Sequence, residues 1–179
     1  MLSLFVIEDA SDIKIPTVVS PVTEQDLTST KGWQTEWTTP YARQLPNKVA
    51  LRRADNDELL GLMSYELDEA GLAVEILYLE SARHSNANLL HAEGRKKKYT
   101  GIAKALFAYA INLSLEHYSD GVVYFRAKTS ELAEYYKSAF GAIAPVRYDP
   151  FLLLILEEAA ADILSDFMME VRDDGSEGT

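Results

Sequence analysis

The sequence predicts an α/β (α+β) domain in which a mixed, mostly antiparallel central sheet is flanked by helices. Three observations predict it. Between Lys48 and Glu80, three apolar runs, KVALRR, LLGLMSYEL and LAVEILYLE, are divided by the turn-forming stretches ADNDE and DEAG, the pattern of an antiparallel meander. An amphipathic segment follows, with Ile102, Leu106, Ala110 and Leu113 on one stripe. It leads into the β-branched and aromatic run VVYFRAK, so the chain from Leu77 to Ala127 reads strand, crossover helix, strand. That unit yields a parallel pair inside an otherwise antiparallel sheet.

The remaining elements are read in chain order. SLFVI near the start reads as a strand, and Thr23 three residues ahead of Asp26 gives a helix-start signal. Trp33, Trp37 and Tyr41 recur every four residues, so a helix here would align them on one face until Pro40 and Pro46 break it. Ser81 to Lys97 is polar and lacks a strand period, with room for a helical turn in NANLLHAEG. SDG ends the long helix. TSELAEYYKSAF is a second one, with Thr129 or Ser130 as N-cap and Gly141 at its C-terminal end. APVRYD and FLLLILE read as closing strands, and EEAAADILSDFMMEV as a final helix. The organisation expected is one domain over residues 1–170 and an acidic, disordered tail over 171–179.

Composition narrows the function classes. The chain has 179 residues, a formal charge of -11, a pI near 4.7 and no cysteine. The last point excludes disulfides, thiolate nucleophiles and cysteine-ligated zinc, and agrees with a cytoplasmic location. MLSLFVIEDASD lacks the basic start of a signal peptide, and no apolar stretch is long enough to span a bilayer, so no membrane partner is expected. Nor is a nucleic-acid partner expected of so acidic a chain. The acidic surface would instead suit a cationic acceptor such as a polyamine, aminoglycoside or lysine side chain.

Against that background EGRKKKYTGIAKALFAYAI stands out, with Arg95, Lys96, Lys97 and Lys98 consecutive ahead of a helix. A helix N-terminus offers unpaired N–H groups and a partial positive charge, and glycine lets a phosphate approach the backbone. Gly101 stands at such a position. The stretch is neither a P-loop nor a dinucleotide-binding fingerprint.

KYTGIA, Lys98 to Ala103, resembles the Arg/Gln-x-x-Gly-x-Gly/Ala signature of the GNAT superfamily of N-acetyltransferases. The strand EILYLE before it, the helix after it, the strand VVYFRA and the helix ELAEYYKSAFGA follow that family's core in order, over roughly Val49 to Leu156. The resemblance implies a GNAT-like sheet and acetyl-coenzyme A as co-substrate, its pyrophosphate held by Lys98, Tyr99, Thr100, Gly101, Ile102, Ala103 and Lys104. The pantetheine arm would lie between the strand ending at Leu79–Glu80 and the strand near Val122. The backbone amides of Leu79 and Glu80 would polarise the thioester. Glu80 is the implied base, with Glu75 next. Tyr136, ahead of Tyr135, is the implied acid on the second helix. Two departures stand out: Lys98 replaces Arg or Gln, losing the planar fork, and seventeen residues, Ser81 to Lys97, intervene where the family has only a few. That insertion reads as a lid or a partner-binding segment. His84 and His91 within it lack companions at ligand spacing, so no metal is expected.

The function expected is therefore direct transfer of acetyl to a small-molecule or protein amine in a ternary complex. A non-catalytic coenzyme A-binding or interaction module of the same fold is the alternative, and a homodimer is compatible with either.

Overall fold

The computed structural model describes residues 2–168; the acidic stretch at 171–179 lies outside them. The strands are β1 (Phe5–Glu8), β2 (Ile13–Pro21), β3 (Lys48–Arg53), β4 (Leu59–Asp68), β5 (Ala73–Ser81), β6 (Tyr99–Thr100), β7 (Val123–Arg126) and β8 (Leu152–Ile155). They form one sheet in the order β6-β1-β2-β3-β4-β5-β7-β8. Every neighbouring pair is antiparallel except β5 with β7, the pair joined by the crossover. The helices are α1 (Glu24–Ser29), α2 (Pro40–Gln44), α3 (Ala87–Ala92), α4 (Ile102–Tyr118), α5 (Ser130–Phe140) and α6 (Glu157–Ser165).

Two apolar layers form on the sheet. Residues of β1, β3 to β5, β7 and β8 pack with α4 and α6 through Val6, Leu51, Met63, Leu106, Phe107, Phe125 and Leu153. A smaller layer joins the α1–α2 segment to β3 and β4 through Leu27, Trp33, Trp37, Ala42, Ala50 and Leu62. Local signals explain the helix starts. Thr23 and Asp26 close a reciprocal capping box, Thr39 caps α2 with Pro40 in its first turn, and Thr129 caps α5.

Several expectations are corrected. Trp33 and Trp37 lie in turns rather than on a helix, and their stripe does not extend to Tyr41, which is exposed. Pro40 opens α2 instead of breaking a helix. The strand β2 goes unannounced because Pro16 and Pro21 mask its alternation, although prolines fit here, at positions facing Phe5 and Val49. APVRYD forms no strand, since only Ile143 bridges to Leu154 and a turn follows. The insertion is not an unstructured loop: it holds a 3₁₀ turn (Arg83–Ser85) and α3, with Asn86 accepting from the amides of Asn88 and Leu89. No helix among the described residues is long and apolar enough to cross a membrane.

Candidate functional site

The parallel register of β5 and β7 runs from Val74–Val123 to Ile76–Phe125 and stops, while β5 continues to Ser81. Just where it stops, β5 carries an extra residue. Ser64 faces Tyr78 and Tyr65 faces Ile76, so Leu77 is bulged, and a bulge twists and re-aims a strand. The two strands part, and a cleft of about 700 Å³ opens between them, floored by Phe107, Phe125 and Tyr136 and flanked by Leu79, Glu80 and Lys128.

Alternation along β5 assigns its side chains to opposite sides of the sheet. Leu79 packs with the α4 layer, whereas Tyr78 packs with Trp37 in the α1–α2 layer. Glu80, two residues from Tyr78, points the same way. The residue is 5% exposed, and its carboxylate accepts from the Thr35 amide at 2.9 Å and from the Trp37 indole Nε1 at 2.9 Å. Burial pushes its pKa up, and those two donors with the nearby Lys128 charge only partly counter the effect. Tyr78 accepts from Lys128 Nζ at 2.8 Å and shares a second hydrogen bond with Thr35 Oγ1 at 2.6 Å. Glu75 lies elsewhere, beside the Tyr124 hydroxyl at 3.3 Å and facing Glu66 across the ladder.

Backbone groups divide in the same manner. Ala82 N–H donates to Leu60 at 2.8 Å, so ladder alternation turns the amides of Glu80 and Tyr78 toward β4 and those of Leu79 and Ser81 toward the cleft. The expectation of a paired Leu79 and Glu80 donor set is thereby narrowed to Leu79.

On α5, Tyr135 and Tyr136 both line the cleft. Tyr136 is the half-buried one, its ring 5.0 Å from Phe125 and 5.7 Å from Phe107, while Tyr135 is 51% exposed. Burial raises the Tyr136 phenol, and the neighbouring Tyr135 adds to it. Among the described residues its hydroxyl has no hydrogen-bond partner.

At the start of α4, Gly101 has φ 98°, the left-handed conformation that glycine tolerates, and the first intrahelical bond is Ala105 N–H to Gly101 at 3.0 Å. The amides of Ile102, Ala103 and Lys104 therefore precede the helical ladder. A second glycine places this end: a Cβ on Gly61 would sit 2.7 Å from Ile102 and 3.0 Å from the Glu80 carbonyl. Only glycine in β4 lets α4 begin directly beneath the end of β5.

Of the signature residues, Ala103 lines the cleft, one turn ahead of Phe107. Ile102 is buried. Thr100, Gly101 and Lys104 border a separate hollow of about 360 Å³ beside Phe5 and Phe167. Lys104 pairs with Asp166, and Thr100 donates to Asp9 at 2.7 Å. Tyr99 is buried, its hydroxyl donating to Glu58 at 2.6 Å and accepting from Arg53 at 2.7 Å. Lys98 is held by the same Glu58 at 2.8 Å. Burial disfavours the charge on Glu58, yet the Lys98 and Tyr99 hydrogen bonds prevail and lower its pKa. Arg95 lies 3.6 Å from Glu93. Lys97, which sequence reasoning did not single out, is the member of the basic run that lines the cleft.

The insertion is tied at both ends. Lys98 N–H donates to His84 at 2.9 Å, Tyr99 N–H to Ser85 Oγ at 3.0 Å, and Arg83 bonds both Gly32 and Glu93. The His84 ring, its pKa lowered by burial, bonds Ser85 Oγ at 2.6 Å. Asn86, Ala87 and Asn88 form part of the cleft wall, so the segment contributes directly to the site.

No protein-family model and no curated protein matches the chain. Solved structures do. A tyrosine-to-phenylalanine mutant of the AtaT toxin, bound to the C-terminus of the antitoxin AtaR and acetyl-CoA, aligns over 83% of this chain and 98% of its own at 17% identity and TM-score 0.54. AtaT complexed with acetyl-methionyl-tRNAfMet aligns over 82% and 98% at 15% identity and TM-score 0.54. A GNAT-family acetyltransferase from Listeria monocytogenes aligns over 86% and 99% at 10% identity and TM-score 0.52. The fold is that of the GNAT acetyltransferases.

These neighbours overturn one expectation. The low pI predicts no nucleic-acid partner, yet AtaT was solved with an acetylated tRNA, and the KacTA and AtaT–AtaR complexes were solved with DNA. Net charge is a sum over the whole surface, whereas contact with a phosphate backbone needs only a local basic face.

Proposed function

We propose that the chain is an acetyl-CoA-dependent N-acetyltransferase acting by direct transfer to a primary amine in a ternary complex. The observation that carries this reading is the cleft where β5 and β7 part, with a buried carboxylate on one side of the sheet and a half-buried phenol across it. The site fits acetyl-CoA as substrate. An apolar floor of Ala103, Phe107 and Phe125 suits a pantetheine arm, and the leading amides of α4 with Lys97 suit its phosphates. Solved neighbours of the same fold carry acetyl-CoA.

In this reading Glu80 takes a proton from the acceptor ammonium, and the freed nitrogen attacks the thioester carbonyl carbon; the second proton that the nitrogen must lose to become an amide passes to solvent. The Leu79 amide stabilises the oxyanion. As the C–S bond breaks, the sulfur leaves with the electron pair and takes the proton of the Tyr136 hydroxyl. Solvent then reprotonates the tyrosine. The raised value suits Glu80, which becomes a stronger base, and Tyr136 carries its proton at neutral pH. Calorimetric titration with acetyl-CoA tests the reading, with Gly101→Glu as the control. Micromolar binding lost in the variant supports it, and no binding by the wild type rejects it. The acceptor screen that follows includes aminoacyl-tRNA, because AtaT was solved with an acetylated one.

A further inference from the structure

We propose that the acceptor amine carries an anionic group close by, a carboxylate or a phosphodiester, and that the Lys128 ammonium recognises it. This rests on the acetyltransferase reading above and adds the acceptor class to it.

The argument begins with sides. The donor features, Ala103, Phe107 and the first amides of α4, lie on the α4 side of the sheet. With the thioester between the strands, the acceptor must come from the opposite side, where Glu80 presents its carboxylate beside Thr35 and Trp37. Lys128 belongs to that side too. Its Nζ is 2.8 Å from the Tyr78 hydroxyl and 4.0 Å above the centre of the Tyr78 ring, which packs edge-on to Trp37 at 5.4 Å.

The other cations of the cleft are otherwise committed. Arg126 is paired with Asp149 at 2.6 Å, and Lys97 belongs to the basic run ahead of α4. Glu131 lines the same cleft, yet among the described residues Lys128 makes no ion pair; its one hydrogen bond goes to a neutral phenol. That phenol is fixed in turn by Thr35, so the ammonium is held in place. One proton is used on Tyr78, and two remain for a ligand.

A fixed cation at this entrance repels polyamines and aminoglycosides, against the expectation drawn from surface charge. It favours an amine whose neighbouring group is an anion: the carboxylate of a free amino acid, or the phosphodiester of an aminoacylated RNA.

The experiment uses the full chain with acetyl-CoA. It compares a panel of amino acids with their amides, and aminoacyl-tRNAs with the corresponding amino-acid methyl esters. The first pairing reports a carboxylate and the second a phosphodiester. The anionic member of one pairing should be preferred in kcat/KM. Lys128→Ala should shrink that preference about tenfold, equal to about 1.4 kcal/mol, and Lys128→Arg should restore most of it. Equal use of both members, preference for polyamines, a preference insensitive to Lys128, or transfer to no acceptor in the panel overturns the inference. So does a Lys128→Ala defect that falls on acetyl-CoA affinity instead, measured by calorimetry on the same samples. Failure of the wild type to bind acetyl-CoA at all marks the separate failure of the parent reading.

Discussion

The two sides of the cleft are built on opposite plans. On the α1–α2 side the polar groups satisfy one another at short range, Glu80 with Thr35 and Trp37, and Tyr78 with Thr35 and Lys128. Around the start of α4, charge is abundant but mostly spent on acids: Lys98 on Glu58, Lys104 on Asp166 and Arg95 beside Glu93. The acceptor side is thus organised by buried hydrogen bonds, which low dielectric strengthens. The donor side depends on helix amides and the half-buried Lys97 at the cleft wall, where salt screens part of the attraction. Variants on the first side should therefore act on stability and kcat, and those on the second on cofactor affinity.

The largest effect should come from Trp37, which is fully buried and donates to Glu80. Trp37→Ala should lower unfolding free energy by about 3–5 kcal/mol, read from denaturant melts. Trp37→Phe keeps most of the packing but removes the donor, so the Glu80 carboxyl should rise further. An unchanged pH profile in Trp37→Phe would break the claim that this hydrogen bond tunes the base.

Glu80→Gln should reduce kcat by about 10²–10⁴-fold while acetyl-CoA affinity persists in calorimetry. Because burial raises this carboxyl, the base is lost as pH falls through a value above the ordinary carboxylate range. The acid limb of kcat/KM should lie there and vanish in the glutamine variant. Stability follows the linkage of a raised group. Its contribution is full below the unfolded carboxylate value and disappears as pH rises through the folded one. Tyr136→Phe, on the opposite wall, should cost about 10²-fold in kcat, while Tyr135→Phe should cost little; the reverse order would exchange their roles.

Much of this was legible in the residues. The meander, the crossover, the parallel pair and the caps at Thr23 and Thr129 follow local rules of period and side-chain geometry, and so does the placing of Glu80 at the end of β5. Non-local effects hid the rest. No local pattern says that Leu77 bulges, that Gly61 must let Ile102 approach, or that a loop tryptophan will cross to bond a strand carboxylate. The spacing of Trp33, Trp37 and Tyr41 mimicked a helix because two buried anchors in consecutive turns can fall at any interval. Run position alone could not say which lysine reaches the cleft, since the partner that removes Lys98, Glu58, lies forty residues earlier.

The smallest effect separates those two lysines. Lys97 lines the cleft and Lys98 is bound to Glu58, so Lys97→Ala should weaken acetyl-CoA binding several-fold, about 1 kcal/mol, with the loss shrinking as salt is added. Lys98→Ala should leave affinity nearly untouched. It should cost less than about 1 kcal/mol of stability, because its ion pair is half exposed and water replaces much of it. If instead Lys98→Ala weakens acetyl-CoA binding more than Lys97→Ala does, the cofactor must draw Lys98 away from Glu58. The donor side would then be organised by the ligand rather than ready for it, and its contrast with the preformed acceptor side would be sharper still.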